Sequence, residues 1–169
     1  MSTEQEYVVI GSTEYVEIAG IKDIPAKIDT GADTSSIWAS QIDMDKDGIL
    51  SFVLFDKKSP LYTGEKIKST DYSVKTIRSS NGAEQIRYRV KLPLVLGDKT
   101  FTTSFTLANR SRNNFPVLVG RHTLKHDFLV DVSINNVKRA SNPKTPKLNQ
   151  ELQEDPFKFH RKYLKRKGE

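Results

Sequence analysis

Lys27–Ser36 reads KIDTGADTSS. An aspartate, a small hydroxyl and a glycine follow directly on the run IPAKI at Ile24–Ile28, so Asp29 falls at a strand end rather than within a polar loop. Asp, Thr and Gly are all turn formers, and any one of them after a strand requires no function. Two further features weigh against a bare turn. The string Asp29–Ser35, DTGADTS, is longer than a turn needs. Downstream, by about the length of a small β domain, Pro116–Leu124 reads PVLVGRHTL, an apolar run closed by Gly-Arg-x-x-Leu.

Outward from this stretch the chain is read as short strands between turn residues. EYVVIG and EYVEIAG lie before it, and GILSFVLF and DYSVKTIRSS after it. DYSVKTIRSS runs into Asn81-Gly82, the strongest short hairpin signal in the chain. Beyond that pair, Ile86, Tyr88 and Val90 alternate with Arg87, Arg89 and Lys91, as in a strand with one wet face. KTFTTSFTLA repeats the alternation, FPVLVG reads as a strand buried on both faces, RHTLKH as a helical turn, and DFLVDV as strand again. Many short strands with frequent turns predict an all-β sandwich or barrel.

Composition bounds what such a domain can do. The 169 residues allow one domain with its own core, and the absence of cysteine excludes disulfides, thiolate nucleophiles and cysteine-ligated metal. Neither a secretory leader nor a membrane span is read, so a soluble cytoplasmic protein is expected. Of 27 Lys and Arg and 21 Asp and Glu, ten and four lie from Asn135 onward, leaving 17 of each sign before it. The net charge of +6 therefore belongs to the tail, a solvated basic extension or a contact for an acidic partner or the ribosome. The predicted division is a β domain over 1–134 and a basic extension over 135–169. In that extension NVKRASNPKTPKLNQ is a linker, and a short helix starts at Asp155-Pro156.

Taken together, Asp29-Thr30-Gly31-Ala32-Asp33 and the Gly-Arg-x-x-Leu element resemble the retropepsin family of aspartic proteases. AKIDTGADTSS, RSSNG and LVGR are closer to a bacterial branch that carries the label ATP-dependent zinc protease and is associated with ribosomal-protein glutamate ligases. The resemblance spans roughly Glu6–Val132. It implies a closed β-barrel of acid-protease type with one short helix, and an aspartic endopeptidase in which Asp29, Thr30 and Gly31 form the catalytic loop. It also implies that Ala32 and Asp33 hold substrate backbone, that Gly120 and Arg121 brace the loop, and that Asn81 and Gly82 tip a flap. Chain order carries one Asp-Thr-Gly only, so a two-carboxylate site requires a homodimer. Lys27 stands two residues before Asp29, and residues i and i+2 of a strand share a face. A cluster of Lys27, Arg78 and Arg87 would read acidic or glutamate-tailed peptides.

Other chemistries find less support. The only spaced histidine pair is His122 and His126, at i, i+4 on one helical face with Asp127 and Asp131 nearby, and there is no His-Glu-x-x-His. No cofactor is expected. Without a Walker A loop, any ATP dependence would belong to a partner. Ser35, Ser36, Ser79 and Ser80 lack a nucleophile-elbow pattern. The non-enzymatic rival is a dimerising or peptide-binding module of the same fold with little catalysis.

Overall fold

In the computed structural model of the chain, residues 4–78, 81–138, 144–165 and 168 are described. Eleven strands and three helices follow in order: β1 Val8–Ile10, β2 Thr13–Ile18, β3 Ile21–Ile28, β4 Ser35–Met44, β5 Leu50–Leu54, β6 Lys66–Ser69 and β7 Tyr72–Arg78. Then come β8 Glu84–Leu96, β9 Lys99–Ala108, β10 Val117–Val119, α1 Arg121–Leu124, β11 Phe128–Val130, α2 Lys144–Glu154 and α3 Pro156–Tyr163.

Six strands close a barrel in the order β10-β3-β2-β8-β9-β4, with β4 returning to β10. The closing strand is β10. It runs parallel to β3, with Val119 opposite Ile28, and antiparallel to β4, with Leu118 opposite Ser36. A strand bonded on both edges needs side chains that tolerate burial, and PVLVG supplies them. Val117 and Val119 are fully buried, whereas Leu118 is half-exposed, so the expectation of burial on both faces holds for one face only. The interior is filled by alternate residues of each wall, including Ile24 and Ala26 of β3, Leu92 and Leu94 of β8, and Phe105 and Leu107 of β9. The all-β barrel with one short internal helix is as read from the sequence.

Two strands escape that reading. β4 opens with Ser35 and Ser36, which look like loop residues yet are 1% and 6% exposed. Their hydroxyls are satisfied internally, Ser35 Oγ lying 2.6 Å from Thr123 Oγ1, and a bonded hydroxyl is tolerated where a bare one is not. β4 also carries a register shift between Ser40 and Asp43, with Gln41 at φ 51°, which breaks the alternation. β6 is short and polar (KIKS) and borders β5 only.

β8 alternates only in its second half. From Val90 to Leu96 the even positions are buried, but Ile86 is 74% exposed. Residues 84–88 pair with β7 alone, whereas 89–96 pair with β9. The β7–β8 hairpin thus projects beyond the barrel, where no core waits for Ile86.

The chain divides into two compact units, Met1–Val137 and Lys138–Glu169. The first runs three residues past the predicted boundary because its last residues are bonded to β2. Asn136 N donates to Thr13 O (3.2 Å), Val137 N donates to Thr13 Oγ1 (3.0 Å), and Val137 is 5% exposed.

In the second unit the linker reading fails over Lys144–Gln150, which belongs to α2. Pro146 sits in the first turn, where no intrahelical N–H is lost, and KTPKLNQELQE shows too few apolar residues to reveal a period. The start of α3 is as expected: Asp155 accepts from Lys158 N at 2.9 Å, with Pro156 at the first helical position. Glu151 accepts from Lys162 Nζ (2.6 Å) and Tyr163 Oη (2.8 Å), tying α3 to α2. Those bonds hold the Glu151 carboxyl below its ordinary range. No described helix is long and apolar enough to cross a membrane.

If Phe105, fully buried at the centre of β9, knits the barrel walls, Phe105→Ala should cost about 3–5 kcal/mol of stability. Urea unfolding followed by tryptophan fluorescence at Trp38 measures it; a loss below about 1 kcal/mol would contradict this placement of the core.

Candidate active site

The Asp29 loop is fixed by what runs beneath it. Asp29 N donates to Val119 O (2.8 Å), extending the β3–β10 pairing by one residue. The chain then turns: Ala32 N donates to Asp29 O (3.2 Å) and Gly31 N to the Asp29 carboxylate oxygen Oδ1 (3.0 Å). A β-carbon on residue 31 would lie 3.2 Å from that oxygen, tight enough to press on the carboxylate. On the far side of the turn, Ala32 O and Asp33 O accept from Arg121 N (2.8 Å) and His122 N (3.1 Å) of α1. Asp33 also forms an ion pair with the Arg121 guanidinium.

Gly120 is the tightest point of this arrangement. Its N–H donates to Ser35 Oγ (3.0 Å), and Ser35 continues through Thr123 to Thr103 at 3.0 Å. A β-carbon on Gly120 would fall 2.6 Å from the carbonyl of Thr34 and 2.9 Å from Ala32 O. Both are backbone, which cannot swing aside.

The residues flanking Asp29 border three hollows. Ala32, Asp33 and Thr34 line a cleft of about 350 Å³ beneath the β7–β8 hairpin, with Arg78, Arg87 and Leu118. Ile28 opens on a second hollow that holds Lys27, and Thr30 on a third with His122 and Leu129. Asp29 itself is half-buried, while Thr30 and Gly31 are exposed.

The sequence-predicted residues are therefore not all gathered. Asp29–Asp33, Gly120 and Arg121 form one bonded unit, and Arg78 and Arg87 face it across the cleft. Lys27 is exposed in the neighbouring hollow, paired in register with Leu118. Asn81 and Gly82 stand at the hairpin tip, where Ala83 N donates to Asn81 Oδ1 (3.1 Å) and Gly82 takes φ 83°. Neither lines the cleft. The connection runs over 79–83 rather than two residues, since Arg78 pairs with Glu84, and Ser79 and Ser80 lie outside the described residues.

One site residue was invisible in the sequence. Arg110 lines both the cleft and the Lys27 hollow, and its Nε donates to Phe115 O at 3.0 Å. Burial, then the neighbouring Arg87, pull its guanidinium below the ordinary range, and Asp29 opposes them. Arg110 is thus electrostatically linked to Asp29. NRSRNN has neither period nor motif, so nothing in the sequence singled it out.

The histidine pair does not fit a zinc centre. α1 ends at Leu124, and His126 follows with φ 78°, so His122 and His126 do not share a helical face. Asp127 is engaged by Lys99 at 3.2 Å, and Asp131 accepts from the Ser133 hydroxyl at 2.6 Å. Among the described residues no three His, Asp or Glu side chains gather as a ligand set.

Comparison with known proteins adds to this geometry. The family described as retropepsin-like aspartic endopeptidase RimB matches residues 9–141. Over 139 residues the chain is 30% identical to a probable alpha-L-glutamate ligase of Desulfotalea psychrophila, covering 79% of this chain and 30% of that protein. Over 131 residues it is 33% identical to a probable alpha-L-glutamate ligase of Shewanella pealeana, covering 74% and 28%. The chain thus spans less than a third of the length of these relatives. A crystal structure of the Legionella pneumophila protein Lpg0085, of unknown function, matches with a TM-score of 0.59 at 25% identity, over 79% of this chain and 100% of that one.

The crossing at residue 120 yields a direct expectation. Gly120→Ala should destabilise the protein by about 1–3 kcal/mol, because backbone must move to admit one methyl group. Denaturant titration reads this; an unchanged midpoint would mean that the loop and α1 do not meet as described.

Proposed function

The chain belongs to the RimB-like family of retropepsin-like aspartic endopeptidases, and on that premise we propose that it hydrolyses peptide bonds with two Asp29 carboxylates, one from each of two identical copies. The observation that carries this reading is the Asp29 loop, which presents a half-buried carboxylate on a bonded turn at the edge of a peptide-sized cleft. One carboxylate cannot act as both base and acid in the same step. Two held about 3 Å apart share one proton, as in aspartic proteases generally. The ionised Asp29 takes a proton from water as its oxygen attacks the carbonyl carbon. The protonated Asp29 of the second copy gives its proton to the carbonyl oxygen. Collapse of the diol then transfers a proton to the departing nitrogen and breaks the C–N bond.

A second copy has a surface to cover. Val9 and Leu129 lie opposite each other in the β1–β11 pair and are 57% and 53% exposed, and Leu129 lines the hollow that Thr30 enters. Tyr7 and Val132 extend the apolar strip at 45% and 80% exposure. Docking there would carry the two Asp29 loops toward one axis. The cations of the cleft support an acidic peptide as substrate, and glutamate-tailed peptides fit the names of the ligase relatives. The module reading, with little catalysis, draws on the same cleft, whose cations suit peptide binding without turnover.

Asp29→Asn decides between the two readings. Cleavage of a diverse peptide library should fall by about 10²–10⁴-fold or more, without change in sedimentation and without effect of a chelator on the wild type. Equal cleavage by wild type and variant, or full activity of a monomer at assay concentration, would contradict the dyad.

A further inference from the structure

Four flat rings stand in one row across the outer wall of the barrel. Trp38 of β4 lies opposite Pro116, just before β10, and Trp38 N donates to Pro116 O (2.9 Å). Val117 faces Ala26 across the parallel β10–β3 pair, so Pro116 falls beside Pro25, and Pro25 pairs directly with Tyr15 of β2. Side chains alternate between the two faces of a strand. The neighbours Ile37, Val117, Ala26 and Val16 are buried in the core, so the row faces outward. It lines a hollow of about 450 Å³ that residues of the 58–61 and 110–114 segments also border.

The indole of Trp38 carries an unused donor. Trp38 is 8% exposed, yet its Nε1–H meets no acceptor among the described residues. No buried side-chain nitrogen or oxygen among them lacks a partner, so this N–H is open to solvent. The ring itself is held in place. Phe55 meets it edge to face, with centroids 6.3 Å apart at 84°, and Phe55 N donates to Trp38 O (2.8 Å). Phe55 does so at φ 64°, a conformation that costs a bulky residue energy and persists where its surroundings dictate it. Asn113 and Asn114 line the same hollow, exposed, with side-chain amides that bond nothing among the described residues.

We propose that this hollow binds a proline-rich segment of the substrate protein, in polyproline II conformation, outside the catalytic cleft. Adjacent strands lie about 4.8 Å apart, so every second ring of the row recurs at about 9.6 Å. A polyproline II helix brings residues i and i+3 to one side at about 9.3 Å, three rises of about 3.1 Å. Its pyrrolidines therefore rest on alternate rings, flat face to flat face. An extended β-strand repeats at about 6.8 Å and misses this spacing. The polyproline II backbone makes no internal hydrogen bonds, so its carbonyls need outside donors, which the Trp38 indole and the two asparagines supply. Continuity with the cleft identifies whose segment it is. Arg110 lines both the cleft and this hollow, so a chain leaving the cleft past Arg110 enters the row. That assignment rests on the peptidase reading above, whereas the fit of the rings to proline does not.

Trp38 is the chain's only tryptophan, so its emission reports occupancy of the hollow. In the full-length Asp29→Asn protein, blocked decaproline should shift that emission with a Kd on the order of 1 mM or below. A blocked glycine-serine peptide of equal length should not. By calorimetry, W38F keeps a ring but loses the N–H, and should weaken binding about 3–10-fold, the scale of one neutral hydrogen bond. Y15A, on the outer wall, should weaken it at least as much and provides the reading should W38F disturb the core. K165Q in the second unit should change nothing. In the wild type, joining a decaproline tract by a flexible linker to a peptide that is cleaved should lower KM by about fivefold or more at unchanged kcat. Y15A should remove that gain. No response to decaproline, an equal response to the glycine-serine peptide, or binding indifferent to both Y15A and W38F would overturn the proposal. So would cleavage whose KM ignores a tract at either end. A wild type that cleaves nothing while decaproline still binds through Tyr15 and Trp38 would sink the peptidase reading and leave the proline site standing.

Discussion

Backbone meets backbone where Gly120 passes beneath Thr34, and the rest of the site follows from that contact. With no side chain at 120, the first N–H groups of α1 reach the carbonyls of Ala32 and Asp33. The same stretch of chain, three residues earlier, is the strand that closes the barrel between β3 and β4. Barrel closure and loop shape are therefore one event. β10 brings its own C-terminal end under the Asp29 turn, and Ser35, Thr123 and Thr103 lock the junction with hydroxyls in the core. Each of these polar groups has a partner, so the junction is rigid without leaving an unsatisfied donor. In the proposed dimer, a carboxylate that faces a symmetry mate needs that rigidity, because small errors in position are doubled across a two-fold axis.

How far the sequence discloses all this depends on where a residue's role is written. Alternation along Val90–Leu96 and the continuous run at Val117–Val119 belong to local pattern, and both were legible. The loop was legible because its residues are contiguous. β4 was not, because the buried hydroxyls of Ser35 and Ser36 answer to partners on α1 and β9, far along the chain. Ile86 misled for the opposite reason: its alternation is sound, but the hairpin outruns the core it would face. His122 and His126 misled because helical spacing presumes a helix, and α1 stops between them. Arg110 had no local sign, since its place in the hollows flanking the Asp29 loop arises from topology alone.

Net charge hid a similar fact. The first 134 residues carry as many acids as bases, which argues against any electrostatic preference of the domain as a whole. Placement reverses that argument. The acids nearest the cleft are consumed by Arg121 and Arg78, so a neutral domain presents a cationic groove. Half-buried charges act over a few ångströms at reduced dielectric, and there the local sum outweighs the global one.

The central claim is that one working site needs an Asp29 from each of two copies. Mixing wild type with increasing Asp29→Asn protein, after exchange of subunits, tests it most directly. Peptidase activity per unit of total protein should fall as the square of the wild-type fraction, since only dimers with two aspartates turn over. A linear fall would mean that each copy works alone, and would contradict the account.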